Sequence, residues 1–218
     1  MYNKKLFIVG CGNVGGFIAY NFQEFMEERY DYIEFLDDDE KKVGKKLFGY
    51  SVSGNIDFLN HITECVDVVI CVANPKIKRQ LVQKIYSPFV HFPSFISKHA
   101  WISTNVSIGK GVIIYPGVSI NYNAVVQDHS IINMNCAIGH DCTISNFSTL
   151  APGVSLAGCC FLEECVDMGI NSATVQGVRI GHNTIIGGMG MVTCNIPSDC
   201  TAVGVPARMI KSHVELLV

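Results

Sequence analysis

The chain has 218 residues, of which 16 are basic and 19 acidic, and is 49% hydrophobic. That length lies between one large domain and two small ones, with ample apolar content for a buried core. The near balance of charge gives no positive excess for holding nucleic acid or an anionic membrane surface.

The opening MYNKKLFIVGCGNVGG has an apolar stretch of only about five residues before glycines interrupt it, short of a signal-peptide core. No stretch approaches the ~20 apolar residues that span a bilayer. The expectation is a cytoplasmic protein whose ten cysteines are reduced thiols. No CxxC pair occurs, so a structural zinc cluster is not expected.

Taken in order, LFIVG reads as a buried strand, GCGNVGG as a turn, NVGGFIAYNFQEFMEERY as a helix and YIEFL as a second strand. VDVVICVAN gives a third strand, and PKIKRQLVQKIY a second helix with proline in its first turn. The order βαβ…βα predicts a small parallel sheet flanked by helices over residues 1–95. Gly10, Gly12 and Gly15 satisfy GxGxxG directly after a strand, and Asp37 and Asp38 close the second strand. In a full Rossmann domain this would mean a bound dinucleotide, with a carboxylate on the ribose. Only half such a domain fits here, so three readings stay open: NAD, a nucleotide or nucleotide-sugar moiety, or a turn with no ligand. LDDDE is equally a solvated turn or a ligand contact.

From Ile102 to Val192, every sixth residue is large and aliphatic, with Thr174 the exception. Four residues after each comes a slot that is nearly always small, among them Val118, Ala124, Ser130, Cys136, Cys142, Ser148 and Cys160. A helix of period 3.6 cannot produce a period of six, and strand alternation alone does not demand one large and one small slot. A triangular solenoid does. Three hexads make one 18-residue coil, with the large residue in the prism interior and the small one near a corner.

This explains NCAIGHDC at 135–142. Cys136 and Cys142 share the small slot with Cys160, so their spacing is a packing period and free thiols there act as small buried hydrophobes. Residues one coil apart stack. With His140 taken in a different hexad phase from His129 and His182, three histidines of one chain are not expected to converge on a metal, and no metal site is assigned. His140 falls on a slot facing outward or near a corner, and Gly158, 18 residues later, is expected roughly 5 Å above it.

The repeat resembles the hexapeptide-repeat left-handed parallel β-helix. With the half-Rossmann segment before it and NIPSDCTAVGVPARMIK at its end, the chain resembles the sugar O-acyltransferase family of the sialic-acid and bacillosamine pathways. The matching parts are the glycine turn, FLDD, VAN, GHDC, GINS and GVPAR. The fold so implied is an α/β half-Rossmann domain over 1–95 and an all-β left-handed β-helix over 96–218.

The amino-sugar branch of that family N-acetylates nucleotide-linked 4-amino-deoxy sugars with acetyl-CoA. The resemblance implies His140 as general base, Asp141 as the residue that orients it, and Asn133 as part of the same site. It implies acetyl-CoA contacts at Gly158, Gly169, Ile170 and Gly188, with Arg208 and Lys211 available to phosphates. The nucleotide sugar would meet Gly10, Gly12, Asn13, Asp37, Asp38 and Asn74. Family members are homotrimers with acetyl-CoA between adjacent β-helices. Two positions depart from the family pattern: Val14 stands where a glycine-turn histidine is common, and Thr149 where some members carry a second histidine. These departures bear on the substrate more than on the reaction class. O-acetylation of a sugar hydroxyl and a non-catalytic nucleotide-sugar-binding protein are the alternatives.

Overall fold

The computed structural model describes residues 4–25 and 30–213. It divides into two compact units, Met1–Ile96 and Ser97–Val218. Among the described residues no helix is long and apolar enough to cross a membrane.

The first unit is built on strand β1 (Lys5–Val9), helix α1 (Asn13–Tyr20), the short helix α2 (Phe22–Phe25), strands β2 (Tyr32–Leu36), β3 (Lys46–Leu47), β4 (Tyr50–Gly54) and β5 (Val66–Ile70), helix α3 (Pro75–Lys84) and strand β6 (Val90–His91). The sheet order is β3-β4-β2-β1-β5-β6, parallel except for the β3–β4 hairpin. Phe7, Val9, Leu36, Leu59, Val68 and Ile70 form one buried cluster, which is why β1 and β5 are mostly apolar, with Asp67 the one acidic residue within β5.

Two features differ from the expectation. The helix read over 13–30 breaks at Asn21, whose backbone N–H and side-chain amide both donate to the Phe17 carbonyl and so cap α1. Its expected segment 26–29 lies outside the described residues. The β3–β4 hairpin was not anticipated. Its turn places both Phe48 and Gly49 at positive φ, the mirror-image geometry that suits strand twist.

The second unit is the parallel β-helix. Its strands are two residues long and pair in parallel with a strand 18 residues away: Ser119 faces Ala137, Ala137 faces Ser155, and Ser155 faces Ala173. Three such sheets form the faces. The interior column is buried throughout its middle coils, with Ile120, Ile132, Ile144, Leu150, Leu162 and Met168 at zero exposure. The polar exception, Thr174, is also buried and lends its hydroxyl to the Ala157 N–H and the Cys160 thiol.

The small slot has a polar logic as well as a steric one. Ser130, Cys136, Cys142, Ser148 and Cys160 each donate to the carbonyl 15 residues ahead, at 3.1–3.3 Å. A short Ser or Cys thus satisfies a buried carbonyl that Ala could not reach. Burial pushes the Cys136 thiol up to about 11.

Each hexad ends in a residue at positive φ, including Asn123, Asn135, Asp141, Cys159, Asn171 and Asn183, with Gly117, Gly153 and Gly177 in the same series. Left-handed backbone favours Gly, Asn and Asp, so the corners carry their own sequence signature. From Asn135 to Met189 the N–H of the corner residue donates to a backbone carbonyl one coil below, as Asp141 does to Tyr122 and Cys159 to His140.

Thiol accessibility checks this packing. In the native chain a thiol-reactive probe should label the exposed Cys65, Cys159 and Cys194 rapidly, and Cys136, Cys142 and Cys160 only on unfolding. Rapid native labelling of the latter three would contradict the assignment of the small slot to the interior.

Candidate functional site

Every third corner falls on the same prism edge. One edge therefore carries, coil by coil, Tyr122–Asn123, His140–Asp141, Gly158–Cys159 and Gln176–Gly177. The Tyr122 ring stacks on the His140 ring, with centroids 5.3 Å apart and planes 12° from parallel. On the other side of the imidazole lies Gly158, where an added Cβ would sit 2.5 Å from His140 Nε2. The imidazole is sandwiched between an aromatic face and a glycine backbone. Only glycine leaves room for it.

His140 Nδ1 lies 2.7 Å from Asp141 Oδ2, and Asn123 Nδ2 donates to Asp141 Oδ1 at 3.0 Å. Asp141 owes its place to the corner, where φ is 57°. The hydrogen bonds from His140 and then Asn123 hold its carboxyl below the ordinary carboxylate range. An ionised carboxylate can only accept, so this pairing puts a ring proton on Nδ1, and in the neutral ring the Nε2 lone pair is on the side facing Gly158. The side chains of His140 and Asp141 are 35% and 43% exposed, so solvent and a ligand can reach them.

Among the described residues no acceptor is bonded to the Gly158 N–H. At the corresponding corner position elsewhere, Met134, Asn146 and His182 donate to Asn133 Oδ1, Gln127 Oε1 and Glu163 Oε2. The edge thus offers an imidazole nitrogen and an open amide donor side by side, the pair of groups that acyl transfer requires.

The other residues singled out from the sequence fall in separate places. Asn133, Gly169, Ile170 and Gly188 belong to the next edge, with Gly188 stacked one coil above Ile170. A Cβ on Gly169 would come within 2.5 Å of the Gly188 nitrogen, so that glycine is required by packing alone. Ile170 and Met189 stand 53% and 66% exposed there. Asn133 accepts from the Met134 N–H and shares no hydrogen bond with His140 among the described residues. A prism face bearing Ser119, Ala137, Ser155 and Ala173 separates the two edges. Arg208 lies in the exposed strand Arg208–Ser212, its guanidinium turned back to the Ala207 carbonyl.

In the first unit Gly10 adopts φ 100°, Gly12 caps α1, and Asn13 is exposed in its first turn. A Cβ on Gly15 would lie 2.1 Å from the Gly10 carbonyl oxygen, the close strand–helix approach that the glycine pattern implies. Asp37 accepts from the Cys11 N–H at 2.8 Å, from Lys42 at 2.9 Å and from the Asp39 N–H at 3.0 Å. Burial pushes its carboxyl up, but these donors outweigh burial and hold it below the ordinary range. Asp37 therefore braces the glycine turn. Asn74 caps α3 through the Ile77 N–H. Asp38 lines an open cleft of about 530 Å³, with Asn60, Gln83, Lys84 and Tyr86 around it.

One detail of the histidine reading is corrected. His140 and His182 share a hexad phase, each two residues past an interior isoleucine, Ile138 and Ile180. They nevertheless fall on different edges, because only residues a multiple of 18 apart stack. Tyr122, Asn123 and Cys159 were not picked out from the sequence, although the same 18-residue arithmetic places them beside His140 and Asp141.

Comparison with known proteins bears on both units. Residues 5–85 match the family model of the PglD N-terminal domain. Some 95% of the chain superposes on the whole acetyltransferase domain of PglB from Neisseria gonorrhoeae, solved in complex with acetyl coenzyme A, with a TM-score of 0.87 and 27% identity. The same share superposes on 97% of PerB from Caulobacter crescentus, solved with CoA and GDP-perosamine, with a TM-score of 0.85 and 25% identity. A 2,3,4,5-tetrahydropyridine-2,6-dicarboxylate N-acetyltransferase of Clostridium perfringens is 32% identical over 53 residues, 24% of the chain and 22% of that protein. The match therefore spans about a fifth of the length of the curated relatives. The two-part fold, ending in a left-handed parallel β-helix, is that of the PglB acetyltransferase domain and of PerB.

The ring sandwich is open to a direct check. In Gly158→Ala the added methyl must displace the imidazole, so the ring NMR signals of His140 should shift and lose the influence of Tyr122, while those of His129 and His182 stay in place. Unmoved His140 signals would show that the glycine does not seat the ring.

Proposed function

From its PglD-type N-terminal domain and its similarity to PglB and PerB, we infer that this chain is an acetyl-CoA-dependent N-acetyltransferase acting on the amine of a nucleotide-linked amino sugar. The single observation that carries the reading is the stack of Tyr122, His140 and Gly158 on one edge, with Asp141 fixing the ring.

The chemistry follows from that geometry. The sugar amine attacks the thioester carbonyl while His140 Nε2 accepts its proton. Asp141, already ionised and held by Asn123, stabilises the imidazolium that forms. The Gly158 N–H donates to the oxyanion of the tetrahedral intermediate. Collapse forms the amide, breaks the carbon–sulfur bond and returns the proton from His140 to the departing CoA thiolate.

Acetyl-CoA would lie along Gly169, Ile170 and Gly188, where exposed Ile170 and Met189 offer apolar surface to a pantetheine arm. Within one chain that surface and His140 lie on different edges. A second copy that brings its own edge alongside would complete the site, which supports a homotrimer. In the first unit the glycine turn, braced by Asp37, and the cleft beside Asp38 are the places for the nucleotide.

The test is turnover. Purified protein with acetyl-CoA and a panel of UDP-, dTDP- and GDP-linked 4-amino sugars should release CoA thiol with at least one acceptor, giving an alkali-stable amide. His140→Ala should lower the rate roughly 10²- to 10⁴-fold. Activity should fall toward acid pH, because both the amine and the imidazole must be unprotonated to react. No release with any acceptor would overturn the substrate class, an alkali-labile product would move it to a hydroxyl, and near-normal turnover of His140→Ala would remove the base.

A further inference from the structure

The solenoid supplies the His140–Asp141 corner with a neighbour that the octapeptide NCAIGHDC does not contain. Asp141 and Cys159 are 18 residues apart and occupy the same column of left-handed corner residues, so the Cys159 side chain stands one coil above the carboxylate. One ligand atom from each of His140, Asp141 and Cys159 lies within 4.8 Å of the other two. Cys159 is exposed and free, unlike Cys136, Cys142 and Cys160, which are committed to interior carbonyls.

We propose that His140, Asp141 and Cys159 form a binding site for a zinc-class divalent cation, and that its occupancy shuts off the His140 base. The donor set is one imidazole nitrogen, one carboxylate oxygen and one thiol, the mixture that borderline-soft Zn²⁺ takes in tetrahedral sites, with the fourth position left to water. Hard cations such as Mg²⁺ and Ca²⁺ are disfavoured by the sulfur and the nitrogen. Asn123 already orients the carboxylate by bonding its other oxygen, the supporting role that neighbours of metal ligands commonly play.

Binding replaces the thiol proton and the His140–Asp141 hydrogen bond with bonds to the cation, and the ring proton moves from Nδ1 to Nε2. One proton leaves from Cys159, so affinity rises with pH. The carboxylate and imidazole are held by the cation, and the ring can no longer cycle a proton. The inhibitory half of the proposal rests on the acetyltransferase reading above. The binding half does not.

The experiment uses the full chain with Cys65 and Cys194 changed to Ser, which silences the other exposed thiols. Titrated with Co²⁺, it should take up one equivalent and develop thiolate-to-cobalt charge-transfer absorption, which Zn²⁺ then displaces. Cys159→Ser should abolish that absorption. So should Cys159→Asn, which keeps the residue type that the same column uses at Asn123. Asp141→Asn should weaken binding at least about tenfold. In turnover, Zn²⁺ should inhibit, a chelator should reverse it, and Cys159→Ser should keep basal activity while losing at least about tenfold in zinc sensitivity.

Absence of the absorption, or its persistence in both Cys159 variants, overturns the site. Zinc inhibition that is unchanged in Cys159→Ser overturns the regulatory role. A cobalt site that behaves as described in a protein with no acetyl transfer to any acceptor would support the cation site and refute the acetyltransferase reading.

Discussion

The β-helix depends on one constraint: each coil takes 18 residues, and its backbone hydrogen bonds to the coil below fix the register so that residues 18 apart sit directly above one another. Two kinds of burial hold that register. Large aliphatics fill the interior, each worth roughly 1.5–3 kcal/mol for full burial, and the small slot adds hydrogen bonds from hydroxyls and thiols to carbonyls of the turns 15 residues ahead. Slipping the chain by one residue would expose the aliphatic column and break those side-chain hydrogen bonds. The corners reinforce it, because the left-handed positions must coincide with Gly, Asn, Asp or a residue that tolerates the strain.

A scaffold of this kind is suited to placing chemistry without a deep pocket. His140 is held at the surface, 35% of its side chain exposed, rather than enclosed in a core. A ring one coil below and a glycine one coil above clamp it, and a neighbouring corner carboxylate fixes its tautomer. The same stacking rule that orders the interior orders the edge. It aligns an open amide with a basic nitrogen at a spacing set by the backbone, and it also sets a thiol above Asp141.

Much of this was legible in the sequence, and the reason is the period. Once the hexads were aligned, the interior column, the small cysteines and the His140–Gly158 stack followed from counting, because backbone pairing leaves no freedom in which residue lies above which. What escaped notice was of two kinds. Tyr122, Asn123 and Cys159 obey the same arithmetic, but tyrosine, asparagine and cysteine at a surface corner carry no separate pattern to draw attention. In the first unit, the stop at Asn21 and the Phe48–Gly49 turn rest on local hydrogen bonds and positive φ, which a hydrophobic pattern does not encode. Asp37 and Asn74 have structural roles that the sequence did not reveal. The glycine motif marks the first and the family resemblance the second as ligand contacts; each also has a structural task, Asp37 bracing a turn through the Cys11 N–H and Asn74 capping a helix through the Ile77 N–H.

The central claim is that the edge bearing His140 is where the thioester is attacked. A crystal structure of the assembled protein with bound acetyl-CoA tests it most directly. The account requires the thioester carbonyl oxygen within hydrogen-bonding distance of the Gly158 N–H, with the Nε2 side of His140 open to an incoming amine. A coenzyme whose sulfur lodges on another edge or face, away from that imidazole, would contradict it.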